Sequence, residues 1–298
     1  MERRRLGSTD MQVSVLGFGG AEIGFETATP ETVAQLLNDA LDAGLNVIDT
    51  AAAYLQSEEL IGQAIAPRRK EYYLFTKCGA TDGFTKADWS QAGILSHIER
   101  SLTALHTDYL DLIQLHSCDI ETLRKGEVIS ALEKAREKGY ARYIGYSGDG
   151  DAARYAVESS KFDTLQTSIS IADQEALELT LPLARERKMG VIAKRPIANA
   201  AWKTGQQPEN PYHHVYWDRL EKLKYDFLKG DLTNAISVAL RFTLGLAGVH
   251  TAIVGTSKPG RWRENAKLVE VGALSSQQFD YIRARWREVA DASWVGQI

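Results

Sequence analysis

A regular alternation of short apolar runs with longer amphipathic stretches constrains this chain more than any other feature. The runs cover residues 13–18, 45–48, 72–76, 109–115, 141–146, 164–169, 191–193 and 250–254, and each is followed by apolar residues at helical spacing. In 32–43, for example, Val33, Leu36, Leu37, Ala40 and Leu41 share one helical face, with a capping entry at Thr29-Pro30-Glu31 and a stop at Gly44. Further helices are predicted over 57–65, 91–105, 128–138, 152–159, 177–188, 217–246, 261–268 and 275–290. Eight strand–helix units predict a parallel sheet with helices outside it, and the count favours a closed (β/α)8 TIM barrel over an open doubly wound sheet. An N-terminal β-hairpin is expected at 3–11, turning at Ser8-Thr9-Asp10, and a helical extension at the C-terminal end. No Pro/Ser linker divides the chain, so residues 1–298 are read as one domain.

An open sheet would more often carry a Gly-x-Gly-x-x-Gly turn after its first strand. Gly17-Phe18-Gly19-Gly20 follows the first run, but Ala21-Glu22-Ile23-Gly24 continues it, and no acidic residue lies on a strand end about 20 residues later. The segment 198–216 breaks the regularity. It is polar, holds Gly205, Pro208 and Pro211, and carries Trp202, Tyr212 and Tyr216, as expected of a functional loop after the seventh strand.

Lys plus Arg (35) against Asp plus Glu (39) gives a net charge of -4, which argues against recruitment to nucleic acid or a membrane surface by bulk positive charge. No apolar stretch suits a signal peptide or a membrane span, so a cytoplasmic protein is expected. Cys78 and Cys118, the two cysteines, are too far apart for a Cys-x-x-Cys motif and too few for a disulfide framework. His213-His214 has no carboxylate or cysteine at ligand spacing, and no metal site is predicted.

In a (β/α)8 barrel, chemistry sits at the C-terminal ends of the strands. Three consecutive runs end in ionisable groups, Asp49, Lys77 and His116, and Tyr54 lies in the loop after the first of them. Each has a bland reading: a helix-capping Asp, a solvated Lys, a satisfied half-buried His. Together they suit proton donation. An ammonium lowers the pKa of a neighbouring phenol toward the working range, a carboxylate keeps that ammonium charged and aimed, and an imidazole orients a carbonyl. Such a set would protonate the oxyanion formed by hydride delivery to a carbonyl, with a nicotinamide supplying the hydride.

At these positions the chain resembles the aldo-keto reductase superfamily, and the resemblance covers nearly the whole sequence. Gly44-Leu45-Asn46-Val47-Ile48-Asp49-Thr50-Ala51, then Tyr54, Ser57-Glu58 and Gly62, follow the family's first signature. The resemblance implies a catalytic tetrad of Asp49, Tyr54, Lys77 and His116. It also implies that Gly255-Thr256-Ser257 with Arg261, Glu264 and Asn265 bind the pyrophosphate and adenosine of the cofactor, Glu264 and Asn265 holding the adenine. Asp49, Gly20, Ala21, Ser147 and Gln166 are implied at the nicotinamide end. Where the family has an Asn after Ser147, this chain has Gly148 and Asp149. Where the family stacks an aromatic on the nicotinamide, this chain has Lys194, Arg195 and Pro196.

The resulting expectation is a reductase of aldehydes or ketones with Tyr54 as the acid. Arg261, opening a helix where a cation is mildly unfavourable, suits the 2′-phosphate and points to NADP(H) in preference to NAD(H). A small-molecule carbonyl substrate and a monomer or weak oligomer are expected. Two rivals stand beside it: a non-catalytic nicotinamide-binding subunit that senses redox state for a larger assembly, and a barrel isomerase or aldolase using Lys77 as a Schiff-base amine. Trp202, Tyr212, Tyr216 and Trp217 either wall the substrate pocket or anchor the loop.

Overall fold

The computed structural model describes residues 1–297. Strands β1 (Arg3–Arg5) and β2 (Gln12–Ser14) form an antiparallel hairpin, and β3 (Leu16–Gly19), β4 (Val47–Asp49) and β5 (Tyr73–Cys78) begin a parallel barrel. A second small hairpin follows, β6 (Ala80–Thr81) with β7 (Lys86–Ala87). The barrel then continues through β8 (Leu110–His116), β9 (Ala141–Ser147), β10 (Thr164–Ser168), β11 (Gly190–Lys194) and β12 (Thr251–Gly255), which pairs with β3 and closes the ring. The predicted (β/α)8 barrel with an N-terminal hairpin is therefore the fold. All eight predicted runs contribute a barrel strand.

The first run splits. Residues 13–14 belong to the hairpin and the barrel strand starts only at Leu16, because the chain bends between them: Asn46 Oδ1 accepts from the Ser14 amide at 2.6 Å, and Ser14 Oγ donates to the Leu16 carbonyl at 2.9 Å. The third strand runs on to Cys78, so Lys77 lies inside it and not beyond it. The helix predicted over 177–188 is two, Ala176–Leu179 and Leu181–Glu186, since Pro182 has no amide to donate and its ring clashes with the preceding turn. The long stretch 217–246 also divides, into His214–Leu223 and Leu232–Leu244. Lys224 ends the first half in the left-handed region (φ 50°), and Asp231 caps the second by accepting from the Asn234 amide at 2.7 Å.

Other helices follow expectation closely. Pro30–Asp42 begins at Thr29, whose side chain accepts from the Thr32 amide, and it buries Val33, Leu36, Leu37, Ala40 and Leu41. Ser57–Ile65, Gln91–Ala104, Glu127–Glu137, Gly150–Ser159, Arg261–Val269 and Ser276–Val289 complete the outer layer with similar inward faces. The main core lies between this layer and the strands. A smaller one, built on Leu6, Met11, Val13, Val47, Phe75, Leu112, Ile192 and Ile253, fills the barrel where the hairpin β1–β2 closes its floor. No helix among the described residues is long and apolar enough to cross a membrane.

Candidate active site

The strand ends bring Asp49, Lys77 and His116 together. Asp49 ends β4, in register with Gly19 of β3 and Phe75 of β5, and is 1% exposed. Lys77 is fully buried; its Nζ donates to Asp49 Oδ1 at 2.5 Å and to the Thr50 carbonyl at 2.8 Å. Asp49 Oδ2 accepts from Gln166 Nε2 at 2.7 Å and more weakly from Gln114 Nε2 at 3.4 Å, while Gln166 Oε1 accepts from Ser147 Oγ at 3.1 Å. The carboxylate is thus held from three strands.

Tyr54 sits in the turn after β4. The helix Ala21–Phe25 approaches it so closely that a Cβ on Gly24 would stand 2.0 Å from the Tyr54 carbonyl oxygen, which only glycine permits. Its ring lies 5.1 Å from Lys77 Nζ and edge-on to His116, centroids 5.5 Å apart at 80°. Phe25 and Phe84 flank the phenol, and Phe84 also packs on His116 at 4.8 Å. His116 Nδ1 is buried and has no partner among the described residues.

Electrostatics set the protonation states. Burial works against the Lys77 ammonium, but Asp49 and Tyr54 together outweigh it and raise its pKa. Burial, reinforced by Lys77, Lys194 and Arg195, pushes His116 well below its ordinary value, leaving a neutral imidazole. For Tyr54 the outcome corrects the expectation from sequence: burial raises the phenol, and Lys77 lowers it by less, so the net shift is upward and the proton stays on the oxygen.

A cavity of about 400 Å³ runs from this cluster to the end of β12. Asp49, Tyr54, Gln166, Lys194, Arg195 and Pro196 line one end, and Gly255, Thr256, Ser257, Lys258, Arg261 and Asn265 the other, with Gly20 and Ala21 between them. Ser147 stands behind Gln166. Glu264 turns outward and pairs with Arg261 at 2.9 Å. Charged and amide lining residues that the sequence reading passed over are Glu22, Glu26, Asn199 and Lys203. Glu22 packs on Gly255, where a Cβ would collide with its carboxylate, and Glu26 accepts from Ser257 Oγ at 2.5 Å. Only the adjacency of Glu22 to Gly20-Ala21 could have signalled it; Asn199 and Lys203 lie in an irregular loop with no periodicity.

Asp149 points away from the cavity. It accepts from the Ser168 amide and from Thr167 Oγ1, each at 2.7 Å, and pairs with Lys194 Nζ at 2.8 Å. Arg195 donates to Ser168 Oγ and the Gln297 carbonyl, each at 2.8 Å, and through Nε to the Tyr212 hydroxyl at 2.7 Å. In the loop, Trp202 and Tyr216 are buried anchors, whereas Tyr212 faces the cavity. Cys78 and Cys118 are buried, and burial pushes the Cys118 thiol up to about 12, so neither has the thiolate character that oxidation needs.

A buried lysine–aspartate pair, a phenol and an imidazole thus meet at the carboxyl rim of a closed parallel barrel. The aldo/keto reductase family model matches residues 15–287, and the chain belongs to that family. It is 30% identical to the uncharacterized oxidoreductase YqkF of Bacillus subtilis, over 97% of each chain. It is 27% identical to L-galactose dehydrogenase of Arabidopsis thaliana, over 100% of this chain and 98% of the other. The holo form of aldo-keto reductase AKR11C1 from Bacillus halodurans superimposes with a TM-score of 0.85 at 28% identity, covering 98% of this chain and 99% of that one.

Proposed function

We propose that the protein is an NADP(H)-dependent oxidoreductase that reduces an aldehyde or ketone to an alcohol, with Tyr54 as the general acid. The reading is supported above all by the Tyr54 phenol standing between a buried Lys77–Asp49 pair and a neutral His116, at one end of a cavity whose other end carries Lys258 and Arg261. The cavity suits an extended dinucleotide. Gly19 and Gly255 are register partners and add no side chain of their own to the wall between β3 and β12, where the Glu22 carboxyl packs, and Asn199 Nδ2 is buried without a partner among the described residues. When bound, the nicotinamide supplies the hydride.

The chain's own residues do the rest. His116, neutral, hydrogen-bonds and orients the carbonyl oxygen. Tyr54, fully protonated, gives its proton to that oxygen as negative charge develops, and Lys77, kept charged by Asp49, stabilises the phenolate left behind. Gln166 and Ser147 fix Asp49 and the nicotinamide amide. Arg261 takes the 2′-phosphate, with Lys258 beside it and Asn265 on the adenine. The chain works as one barrel domain, 1–298, monomeric or weakly associated, in a reducing cytoplasm that suits its two buried free thiols.

NADPH oxidation against a panel of aldehydes, ketones and sugars, with the reverse reaction on the alcohols, tests the reading. Tyr54→Phe is expected to lower turnover by at least ~10² while cofactor affinity stays nearly intact. Near-wild-type turnover in that variant removes Tyr54 from the mechanism. Tight dinucleotide binding with no turnover on any carbonyl would favour the non-catalytic sensing subunit instead.

A further inference from the structure

The end of the cavity that holds Tyr54 carries an uneven set of charges. Lys77 is matched by Asp49 and Lys194 by Asp149. Arg195 has no carboxylate of its own: its guanidinium is held by the neutral oxygens of Tyr212, Ser168 and Gln297, and Asp149, already engaged by Lys194, is 4.0 Å away. Asp173, behind this group, is tied to Arg219 at 3.6 Å and to the Tyr216 hydroxyl at 3.2 Å, and burial pushes it up to about 7. His116 is neutral. The local sum over Lys77, Lys194, Arg195, Asp49 and Asp149 is one positive charge, in a setting where Lys194 and Arg195 are 11% and 14% exposed and screening is weak.

We propose that Lys194, Arg195 and Asp149 determine which oxidation state of the dinucleotide the protein holds, selecting the reduced, uncharged nicotinamide over the oxidised, cationic one. The inference rests on the function proposed above, which brings the ring to the Tyr54 end. Reduction moves a hydride, one proton with two electrons, from the ring to the carbonyl carbon, and Tyr54 delivers a proton to the oxygen. The ring thereby gains one positive charge beside an already positive wall, so the spent cofactor is the weaker ligand and leaves. Charges at the phosphate end, Glu26, Lys203, Lys258 and Arg261, together with Glu22, whose carboxyl burial pushes up to about 7, act on both forms alike and cancel in the ratio of their affinities.

Fluorescence titration of the purified full chain with NADP+ and NADPH reads that ratio directly. Wild type is expected to bind NADPH at least tenfold more tightly. One buried unit charge at this range changes the ratio on the order of tenfold, so Lys194→Met should lower the preference by that factor and Asp149→Asn should raise it. Combining the two substitutions restores the charge and should restore the wild-type ratio. The combined variant also leaves no unpaired buried carboxylate, which keeps the test open where Lys194→Met alone folds poorly. A purely structural role shifts both affinities together and leaves the ratio fixed. A fixed ratio, shifts of opposite sign, or a wild-type preference for NADP+ overturns the inference and leaves the proposed function standing. Failure of wild type to bind either dinucleotide overturns both.

Discussion

Asp49 divides its two carboxylate oxygens between different partners, Lys77 on one and the amides of Gln166 and Gln114 on the other, and is almost wholly out of water. Asp49→Asn leaves the Lys77 ammonium buried without a counter-charge, a loss of about 3–5 kcal/mol by analogy with other broken buried pairs. The pH dependence gives the sharper test. In wild type the Lys77 pKa is raised on folding, so that contribution is complete below its unfolded value near 10.4 and is lost as pH climbs through the folded one. In the Asn variant the Asp49 contribution is gone and burial, the largest single influence on Lys77, acts against Tyr54 alone; with the folded pKa then below the unfolded one, the unfolded chain binds the extra proton. Stability of Asp49→Asn should therefore rise from pH 7 to pH 10 where that of wild type does not, as thermal melts across that range will show. Arg261 poses a simpler question. Its pairing with Glu264 is on the surface, both side chains about half exposed, and such pairs contribute little. Arg261→Ala should weaken NADPH by about 1.5–3 kcal/mol and hardly affect NADH, and equal losses in the two titrations would remove the 2′-phosphate assignment.

At the scale of elements, periodicity carried the strands and most helices because each buries one face, and burial is what an apolar pattern records. It also carried Asp49, Lys77 and His116 to one rim, since strand ends converge in a closed barrel, and Tyr54 reaches that rim from the turn after β4. What it missed has local causes. Pro182 marks the break in the helix predicted over 177–188 and was readable as such, whereas the bend at Ser14 depends on Asn46, 32 residues away. The rim hairpin β6–β7 has strands of two residues, too short for any alternation to show. Its tip holds Asp82, Gly83 and Phe84 consecutively at positive φ (51°, 66° and 66°), a conformation costly for the two non-glycine residues and retained where surroundings enforce it. That turn places Phe84 over His116 and beside Tyr54, as a partial cover on the reacting end. Phe84→Ala should raise the KM for the carbonyl substrate several-fold, consistent with the ~0.5–1.5 kcal/mol of an aromatic contact, and leave the dissociation constant of the cofactor unchanged. A matching loss in cofactor affinity would assign the hairpin to the dinucleotide.

Across the whole molecule, stability and chemistry lie at opposite ends of the barrel. The hairpin β1–β2 seals the floor with Leu6, Met11 and Val13, all fully buried against residues from β4, β5, β8, β11 and β12. The fit is tight: Gly7 takes a positive φ of 57° and a Cβ there would stand 2.2 Å from the Gly190 amide nitrogen, while a Cβ on Gly190 would meet Leu6 Cγ at 2.6 Å. Two glycines therefore let the plug and the start of β11 touch, and Leu6 fills the space between them. Leu6→Ala empties that space in a core already close-packed, which costs about 2–5 kcal/mol and should lower the melting temperature by several degrees or more. The Asp49–Lys77 pair and Tyr54 are built at the far ends of the same strands, and Ile253 is the residue common to the floor cluster and the cavity lining. Turnover per folded molecule and cofactor affinity of Leu6→Ala, measured well below its melting temperature, should therefore match wild type. A fall in turnover per folded molecule that exceeds the loss of folded protein would show that packing at the floor sets the geometry at the rim, and the two ends would then have to be treated as one coupled unit.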